Sequence, residues 1–185
     1  LGQPYFAWLI DRQQNKTYRG KTVQNIMFAS QPGANEIEIL KTLLEVLADS
    51  PPFKQLLVRF HPIQGNCRTS IALLERSGLP FEIDESIDVL ATLQQQDRML
   101  GITSIVLIEA ALMGIPAGSL TIGVEDTLLT NRLGLTVPLT SSKQLRSFLV
   151  EPQTQNESHD FINQQRGADE RVARFCYNLI QKKYV

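Results

Sequence analysis

The sequence is short of cysteine, of net charge and of long apolar runs. Of its 185 residues only Cys67 and Cys176 are cysteines, and they stand far apart. That number excludes a disulfide-rich scaffold and indicates a reducing compartment, so we expect a cytoplasmic protein. The formal net charge of -1 gives no footprint for nucleic acid or for an anionic membrane. No run of about 18 apolar residues occurs, so the sequence predicts no transmembrane segment.

Several common active-site signatures are also missing. The chain contains no G-x-x-x-x-G-K-[ST] phosphate loop, no G-x-G-x-x-G fingerprint, no H-E-x-x-H and no G-x-S-x-G. These absences weigh against a P-loop ATPase, a dinucleotide oxidoreductase, a zinc protease and an α/β-hydrolase.

What is present is an alternation of short apolar runs with amphipathic segments. The first run, residues 25–29 (NIMFA), stops before a Pro-Gly turn, and residues 35–47 follow with apolar positions at helical spacing. Further strands are predicted at 55–60, 80–83, 99–102, 116–121 and 135–139, and a long closing helix over 160–184. This alternation predicts an α/β fold, a Rossmann-like parallel sheet with helices on both faces, whose ligands lie outside the carboxyl ends of the strands.

The apolar content of 43% suits a chain with one main core. We expect residues 1–23 to be a lead-in or linker outside that core, and residues 24–150 to be a Rossmann-like nucleotide-binding domain. Residues 151–185 are predicted to form a polar connection and a C-terminal helix that packs on the domain. The chain opens at Leu1 without an initiator Met or a signal sequence, so we expect a fragment of a longer protein.

The loop after the fourth predicted strand holds the most informative motif, GITSIVLIEAALMGIP. Thr103 or Ser104 is placed as the N-cap of the next helix, where free backbone N–H groups suit phosphate oxygens. Glu109 lies in this helix among apolar residues, with no cation three or four positions away. It is either a solvated or distantly ion-paired carboxylate, or an acceptor for two adjacent hydroxyls such as those of a ribose. We favour the second interpretation because an unpartnered carboxylate there is costly.

Two other strand ends carry weaker candidates. His61 follows the second predicted strand directly, where a histidine can donate to a phosphate or act as a general acid, although a lone histidine is more often structural. Ser30 follows the first strand, and its simplest role is that of a turn residue. Both belong to the predicted ligand edge of the sheet.

Together these residues resemble the nucleotide-binding C-terminal domain of GT-B fold glycosyltransferases. The likeness rests on Val58-Arg59-Phe60-His61-Pro62, Thr103-Ser104, Glu109-Ala110 and Gly114-Ile115-Pro116, and covers about residues 24–150 and the closing helix. Bacterial sialyltransferases and polysialyltransferases look most similar. Capsule-type and teichoic-acid-type polymerases and sugar-nucleotide 2-epimerases look similar over the same region. One departure is Thr103, where sialyltransferases usually have serine.

The resemblance implies one half of a GT-B fold that binds a sugar-nucleotide donor, such as a CMP- or UDP-sugar, without a cofactor or metal. It implies that His61 contacts the donor phosphate and helps the nucleotide leave, that Thr103 and Ser104 bind phosphate, and that Glu109 binds the ribose. It further implies a partner N-terminal domain for the acceptor, a surface glycan, so the present chain alone should be inactive. Two alternatives remain: a non-catalytic nucleotide- or partner-binding module, and a domain of the 2-epimerase type.

Overall fold

Short apolar segments of the chain pair side by side into one sheet. The computed structural model describes residues 2–12, 23–33, 35–50, 52–63, 67–123, 125–152 and 159–183. The strands are β1 (Asn25–Ala29), β2 (Gln55–Arg59), β3 (Phe81–Ile83), β4 (Arg98–Gly101), β5 (Ala117–Leu120) and β6 (Val137–Leu139). All neighbouring pairs are parallel, in the order β3-β2-β1-β4-β5-β6.

Helices connect the strands and cover both faces of the sheet. Those that precede or connect the strands are α1 (Pro4–Asp11), α2 (Glu36–Ala48), α3 (Arg68–Ser77), α4 (Val89–Leu93), α5 (Ile105–Leu112) and α6 (Leu129–Arg132). Those that follow the last strand are α7 (Ser142–Val150), α8 (His159–Gln165) and α9 (Ala168–Lys183). Helices α2, α3 and α7 pack on one face, whereas α1, α4 and α5 pack on the other.

The central strands have no polar face because both of their faces are covered. Along β1, Ile26 and Phe28 enter the core on the α2 side, while Met27 and Ala29 enter the core on the α5 side. Successive side chains of a strand point to opposite faces, so a continuous apolar run is what a doubly covered strand requires. The predicted fold class, a Rossmann-like parallel sheet with helices on both faces, is therefore confirmed.

The N-terminal segment differs from the prediction that residues 1–23 lie outside the core. Pro4 stands at the start of α1, where its missing N–H is harmless, and the Gln3 side chain caps the helix. Leu9 and Ile10 are then buried in the apolar cluster that also contains residues of β1, β4 and α5. Residues 13–22 lie outside the described residues, and the division of the chain into domains stays a prediction.

The end of the chain also departs from one continuous helix. Gly167 adopts φ 66°, a left-handed conformation that ends α8 before α9 begins. Ala168 is buried at this junction, whereas Phe175, Tyr177 and Leu179 of α9 are about half exposed. Among the described residues no helix is both long enough and apolar enough to cross a bilayer.

Candidate functional site

The order in which the chain adds strands to the sheet reverses between the two central strands, β1 and β4. The chain runs outward from β1 through β2 to β3 and then returns to place β4 on the other side of β1. Ala29, the last residue of β1, is level with Arg59 of β2 and with Gly101 of β4. The loops after these strands therefore leave the same edge of the sheet, and the point where the strand order reverses is where an open α/β sheet is expected to bind its ligand.

Four of the five predicted site residues lie in the loops at this edge. Ser30 follows β1, His61 follows β2, and Thr103 and Ser104 follow β4. Glu109 lies in the second turn of α5, the helix that begins at the same edge. The topology thus places the ends of these strands on one edge of the sheet, and the role of these residues in binding stays a prediction.

The Ser30 hydroxyl is directed into the protein. Ser30 is 3% exposed, and its Oγ donates a hydrogen bond of 2.6 Å to Oε1 of Glu36. Ser70 of α3 donates to the same carboxylate oxygen at 3.2 Å. Glu36 lies in the first turn of α2, where the helix dipole favours a negative charge. This arrangement ties β1, α2 and α3 together, so the Ser30 hydroxyl serves the fold rather than facing solvent.

The His61 ring is oriented by its own loop. Its Nδ1 accepts a hydrogen bond of 3.2 Å from the backbone N–H of Ile63. A neutral imidazole that accepts at Nδ1 carries its proton on Nε2, so that nitrogen is the available donor. The ring is only partly buried, as a contact with a bound group requires.

A side chain that the sequence did not single out links the loops after β1 and β4. Oε1 of Gln31, in the loop after β1, accepts a hydrogen bond of 3.2 Å from the Thr103 backbone N–H and a second one from the Thr103 hydroxyl. Next to it, Ser104 caps α5, because its Oγ accepts from the Val106 N–H at 3.3 Å. The Gln31 oxygen thus occupies the position of an acceptor in front of the α5 N-terminus.

Close packing brings this N-terminus near β1. A Cβ atom at Gly101 would lie 3.3 Å from Leu107 and 3.4 Å from the carbonyl oxygen of Ala29. Glycine at the end of β4 therefore lets the turn into α5 pass tightly over the sheet.

Glu109 has one partnered and one unpartnered oxygen. The residue is 7% exposed, and its Oε1 accepts a hydrogen bond of 2.6 Å from the Tyr5 hydroxyl of α1. Its Oε2 is buried and has no hydrogen-bond partner among the described residues. Burial, the hydrogen bond to Glu109 and the charge of Glu109 together raise the pKa of Tyr5 to about 12. The Thr121 hydroxyl, just after β5, is likewise buried without a hydrogen-bond partner among the described residues, but only the Glu109 oxygen belongs to a carboxylate, which needs a donor.

Other features of the described surface do not include the predicted residues. A cavity of about 410 Å³ is lined by Gly2, residues 163–165 and Arg171, and another of about 250 Å³ lies between α1, α4 and the end of α5. In the part of the chain that the structure describes, no group of three or more His, Cys, Asp or Glu residues is arranged to hold a metal ion.

Comparison with solved structures identifies the fold. The chain is similar to UDP-GlcNAc 2-epimerase from Methanocaldococcus jannaschii, with 16% identity over 95% of this chain and 50% of that one, and a TM-score of 0.62. A putative UDP-N-acetylglucosamine 2-epimerase from Listeria monocytogenes matches with 18% identity over 98% of this chain and 53% of that one, at a TM-score of 0.61. The Methanocaldococcus jannaschii epimerase in complex with UDP-GlcNAc and UDP matches with 17% identity over 96% of this chain and 54% of that one, also at 0.61.

At this level of identity the likeness shows the fold alone. That fold is the Rossmann-like half of a GT-B architecture, as the sequence predicted. The chain spans about half the length of these solved structures. No family model and no curated protein matches it.

Proposed function

We propose that this chain is the donor-binding half of a bacterial glycosyltransferase that uses a sugar nucleotide and acts on a surface glycan. We further propose that the protein is located in the cytoplasm. The observation that carries the proposal is Glu109, a buried carboxylate whose Oε2 lacks a donor among the described residues, on the helix that begins where the strand order reverses. A ribose hydroxyl is a donor of the required kind, and the N-terminus of the same helix suits the attached phosphates. Both cysteines are free, which agrees with a reducing compartment.

In this proposal each predicted residue has a separate role. Thr103 and Ser104 contact the phosphates at the start of α5, and Glu109 accepts from the ribose. His61 donates from Nε2 to a phosphate oxygen and so stabilises the charge that develops when the nucleotide leaves. Ser30 acts indirectly, because its hydroxyl holds Glu36 and thereby the loop after β1.

Calorimetric titration of the purified chain with UDP, CMP, GDP and CDP tests the binding function. We expect one of these nucleotides to bind, and Glu109→Gln to weaken it at least tenfold, because a charge-assisted hydrogen bond contributes about 1.5–3 kcal/mol and about 1.4 kcal/mol is tenfold. Glu45→Gln is the matched control, since Glu45 is exposed on α2 and belongs to the opposite face of the sheet. Equal affinities for the two variants, or no binding by the wild type, would contradict the proposal.

The same titration decides the donor class. A sialyltransferase-like domain uses a CMP-sugar and should prefer CMP, whereas a domain for UDP-sugars should prefer UDP. We expect no sugar transfer by this chain alone, because a GT-B site needs a second α/β domain for the acceptor. The coverage of only about half of the solved structures supports such a domain in the whole protein. Sustained turnover by the isolated chain would exclude that dependence.

One observation favours a second candidate, a domain of the sugar-nucleotide 2-epimerase type. The solved structures with TM-scores above 0.6 reported above are named as UDP-GlcNAc 2-epimerases. Incubation of the full-length parent protein with UDP-GlcNAc separates the possibilities: an epimerised sugar nucleotide supports the epimerase, and release of UDP upon addition of an acceptor supports the transferase. Binding without either product supports a non-catalytic module.

A further inference from the structure

Helix α1 places one hydroxyl group directly on the carboxylate of Glu109. Ala7, Leu9 and Ile10 anchor the helix in the core, with exposed fractions of 2% or less. The Tyr5 side chain leaves this anchored helix toward α5, and its hydroxyl lies 2.6 Å from Oε1 of Glu109. The contact therefore joins two elements that packing holds at a fixed distance.

The two oxygens of Glu109 are consequently not equivalent. Oε1 already accepts a short hydrogen bond, whereas Oε2 is buried and has no partner among the described residues. A carboxylate that binds both hydroxyls of a ribose in a bidentate manner uses one oxygen for each hydroxyl. Here the structure holds one of the two oxygens before any ligand arrives.

The Tyr5 hydroxyl is a permanent donor at neutral pH. Burial, the hydrogen bond to Glu109 and the nearby charge of Glu109 raise the pKa of Tyr5 to about 12. The ring packs against Trp8, with centroids 5.9 Å apart and planes at 20°, and Arg12 lies 3.7 Å from the Trp8 ring centre. These contacts restrict the Tyr5 ring, although the residue is 40% exposed.

We propose that Tyr5 is a positioning residue of the nucleoside site: it holds the Glu109 carboxylate by Oε1, so that Oε2 is the oxygen turned toward a single ribose hydroxyl. The inference rests on the proposed function, in which Glu109 contacts the ribose. It adds a specificity that burial of Glu109 alone does not imply. Glu109 then accepts a hydrogen bond from one of the two adjacent ribose hydroxyls, and removal of the other hydroxyl should not change the affinity.

Titrations of the chain with UDP, 2′-deoxy-UDP and 3′-deoxy-UDP test this selectivity. For the wild type we expect one deoxy analogue to bind within about twofold of UDP and the other to bind about tenfold more weakly, since only one hydroxyl donates to the carboxylate. In Tyr5→Phe the ring remains but Oε1 is free. Both hydroxyls can then be bound, so both analogues should bind several-fold more weakly than UDP.

Tyr177→Phe is the control, because Tyr177 is exposed on α9. It should keep the wild-type order of the three ligands. A purely structural Tyr5 would change the unfolding midpoint of Tyr5→Phe but leave the ratios of the three affinities as in the wild type. That result, or equal losses for the two analogues in the wild type, would overturn the inference while UDP binding upheld the proposed function. If the chain binds CMP rather than UDP, CMP and its 2′-deoxy and 3′-deoxy analogues take the place of the three ligands. Failure of the wild type to bind any of UDP, CMP, GDP and CDP would overturn both.

Discussion

Two carboxylates, one on each side of the boundary between β1 and β4, are buried to the same extent, but their hydrogen-bond partners differ. Glu36 follows β1 and Glu109 follows β4, and each is 7% exposed. Glu36 accepts hydrogen bonds from the hydroxyls of Ser30 and Ser70. Glu109 accepts from the Tyr5 hydroxyl with one oxygen only, and its other oxygen has no donor among the described residues.

On the proposed function, the partners of a buried carboxylate, rather than its burial, separate the structural role of Glu36 from the ligand-binding role proposed for Glu109. The donors of Glu36 come from the sheet edge and from α3, so the cluster is complete without a ligand. Burial raises the pKa of the nearby Cys67 thiol, and the charge of Glu36 raises it further, which lowers the fraction of reactive thiolate. Glu109 keeps an oxygen that can accept a further hydrogen bond, which the proposed function assigns to a ribose hydroxyl.

The largest expected effect is the loss of Glu36. Glu36→Ala removes the acceptor of two hydroxyls and should lower the free energy of unfolding by about 3–5 kcal/mol, since each charge-assisted hydrogen bond contributes about 1.5–3 kcal/mol. Urea denaturation measures the change. Glu38→Ala is the control in the same turn: Glu38 forms an exposed pair with Lys41 at 2.7 Å, and its loss should cost less than about 1 kcal/mol. Similar losses for the two variants would remove the structural role assigned to Glu36.

Asp84, a third carboxylate at this edge of the sheet, has its own hydrogen-bond donors and should therefore be structural like Glu36. The pH dependence of the free energy of unfolding tests this. Burial alone would raise the pKa of Asp84, but hydrogen bonds from Ser86 and Arg59 and the Arg59 charge outweigh it and hold the pKa below its usual value. The Arg59 guanidinium lies 2.5 Å from the carboxylate. Because the pKa is lower in the folded state, this stabilisation is present above about pH 4 and is lost as the pH falls below that value.

Asp84→Asn should therefore lower the free energy of unfolding by about 1–2 kcal/mol at neutral pH, and its difference from the wild type should shrink below about pH 4. Urea midpoints across the pH range measure this difference. Asp88→Asn should be nearly neutral, because Asp88 is an exposed N-cap and asparagine caps equally well. A difference between the wild type and Asp84→Asn that stays constant to pH 2 would show that the Arg59 pair is not formed.

Glu109 should show the opposite behaviour in stability. Glu109→Gln keeps an acceptor for Tyr5 and removes a buried charge, so we expect the free energy of unfolding to stay level or to rise by up to about 1 kcal/mol. Thermal melts of this variant and of the control Glu45→Gln measure it in the absence of nucleotide. A clear drop in melting temperature would make Glu109 a structural residue like Glu36 and end the contrast between them.

The smallest expected effect concerns Tyr5 at alkaline pH. Its pKa is about 12 in the fold against 10.0 ordinarily, so the folded state binds the phenolic proton more tightly and loses stability as the pH rises from 10 to 12. Because Tyr5 is 40% exposed, solvent screening keeps this contribution below about 1 kcal/mol. The difference in urea midpoint between the wild type and Tyr5→Phe should be constant below pH 10 and narrow above it. A difference that widens there would contradict the Tyr5–Glu109 hydrogen bond.

The fold could be predicted largely from local pattern. The predicted strand at 25–29 matches β1, because a run of apolar residues bounded by a Pro-Gly turn has few alternatives. Helix α1 was missed because its stability comes from burial of Leu9 and Ile10 against residues far along the chain. The closing helix was predicted as one piece because the effect of a single glycine depends on its conformation, here φ 66° at Gly167.

The site could be predicted only as far as the strand ends. Topology places the ends of parallel strands on one edge, so the loops that carry His61 and Thr103 followed from the order of elements. The side chains that complete the arrangement could not be predicted from the order of elements. Tyr5 reaches Glu109 across 104 residues of sequence, and Gln31 reaches Thr103 across 72. Such contacts depend on the packed geometry and leave no trace in periodicity or spacing.

The pairing of β1 with β4 has a consequence for how the molecule assembles. Ile26 pairs with Arg98, roughly 70 residues further along the chain, whereas β1 pairs with β2 after only one helix. Closing the longer loop costs more chain entropy, so β1–β2 and β4–β5 units can form early while their junction waits. We expect the β1–β4 junction to be the last part of the sheet to form. A nascent chain would therefore acquire ligand affinity only at the final stage of folding, which makes nucleotide binding a reporter of completed folding.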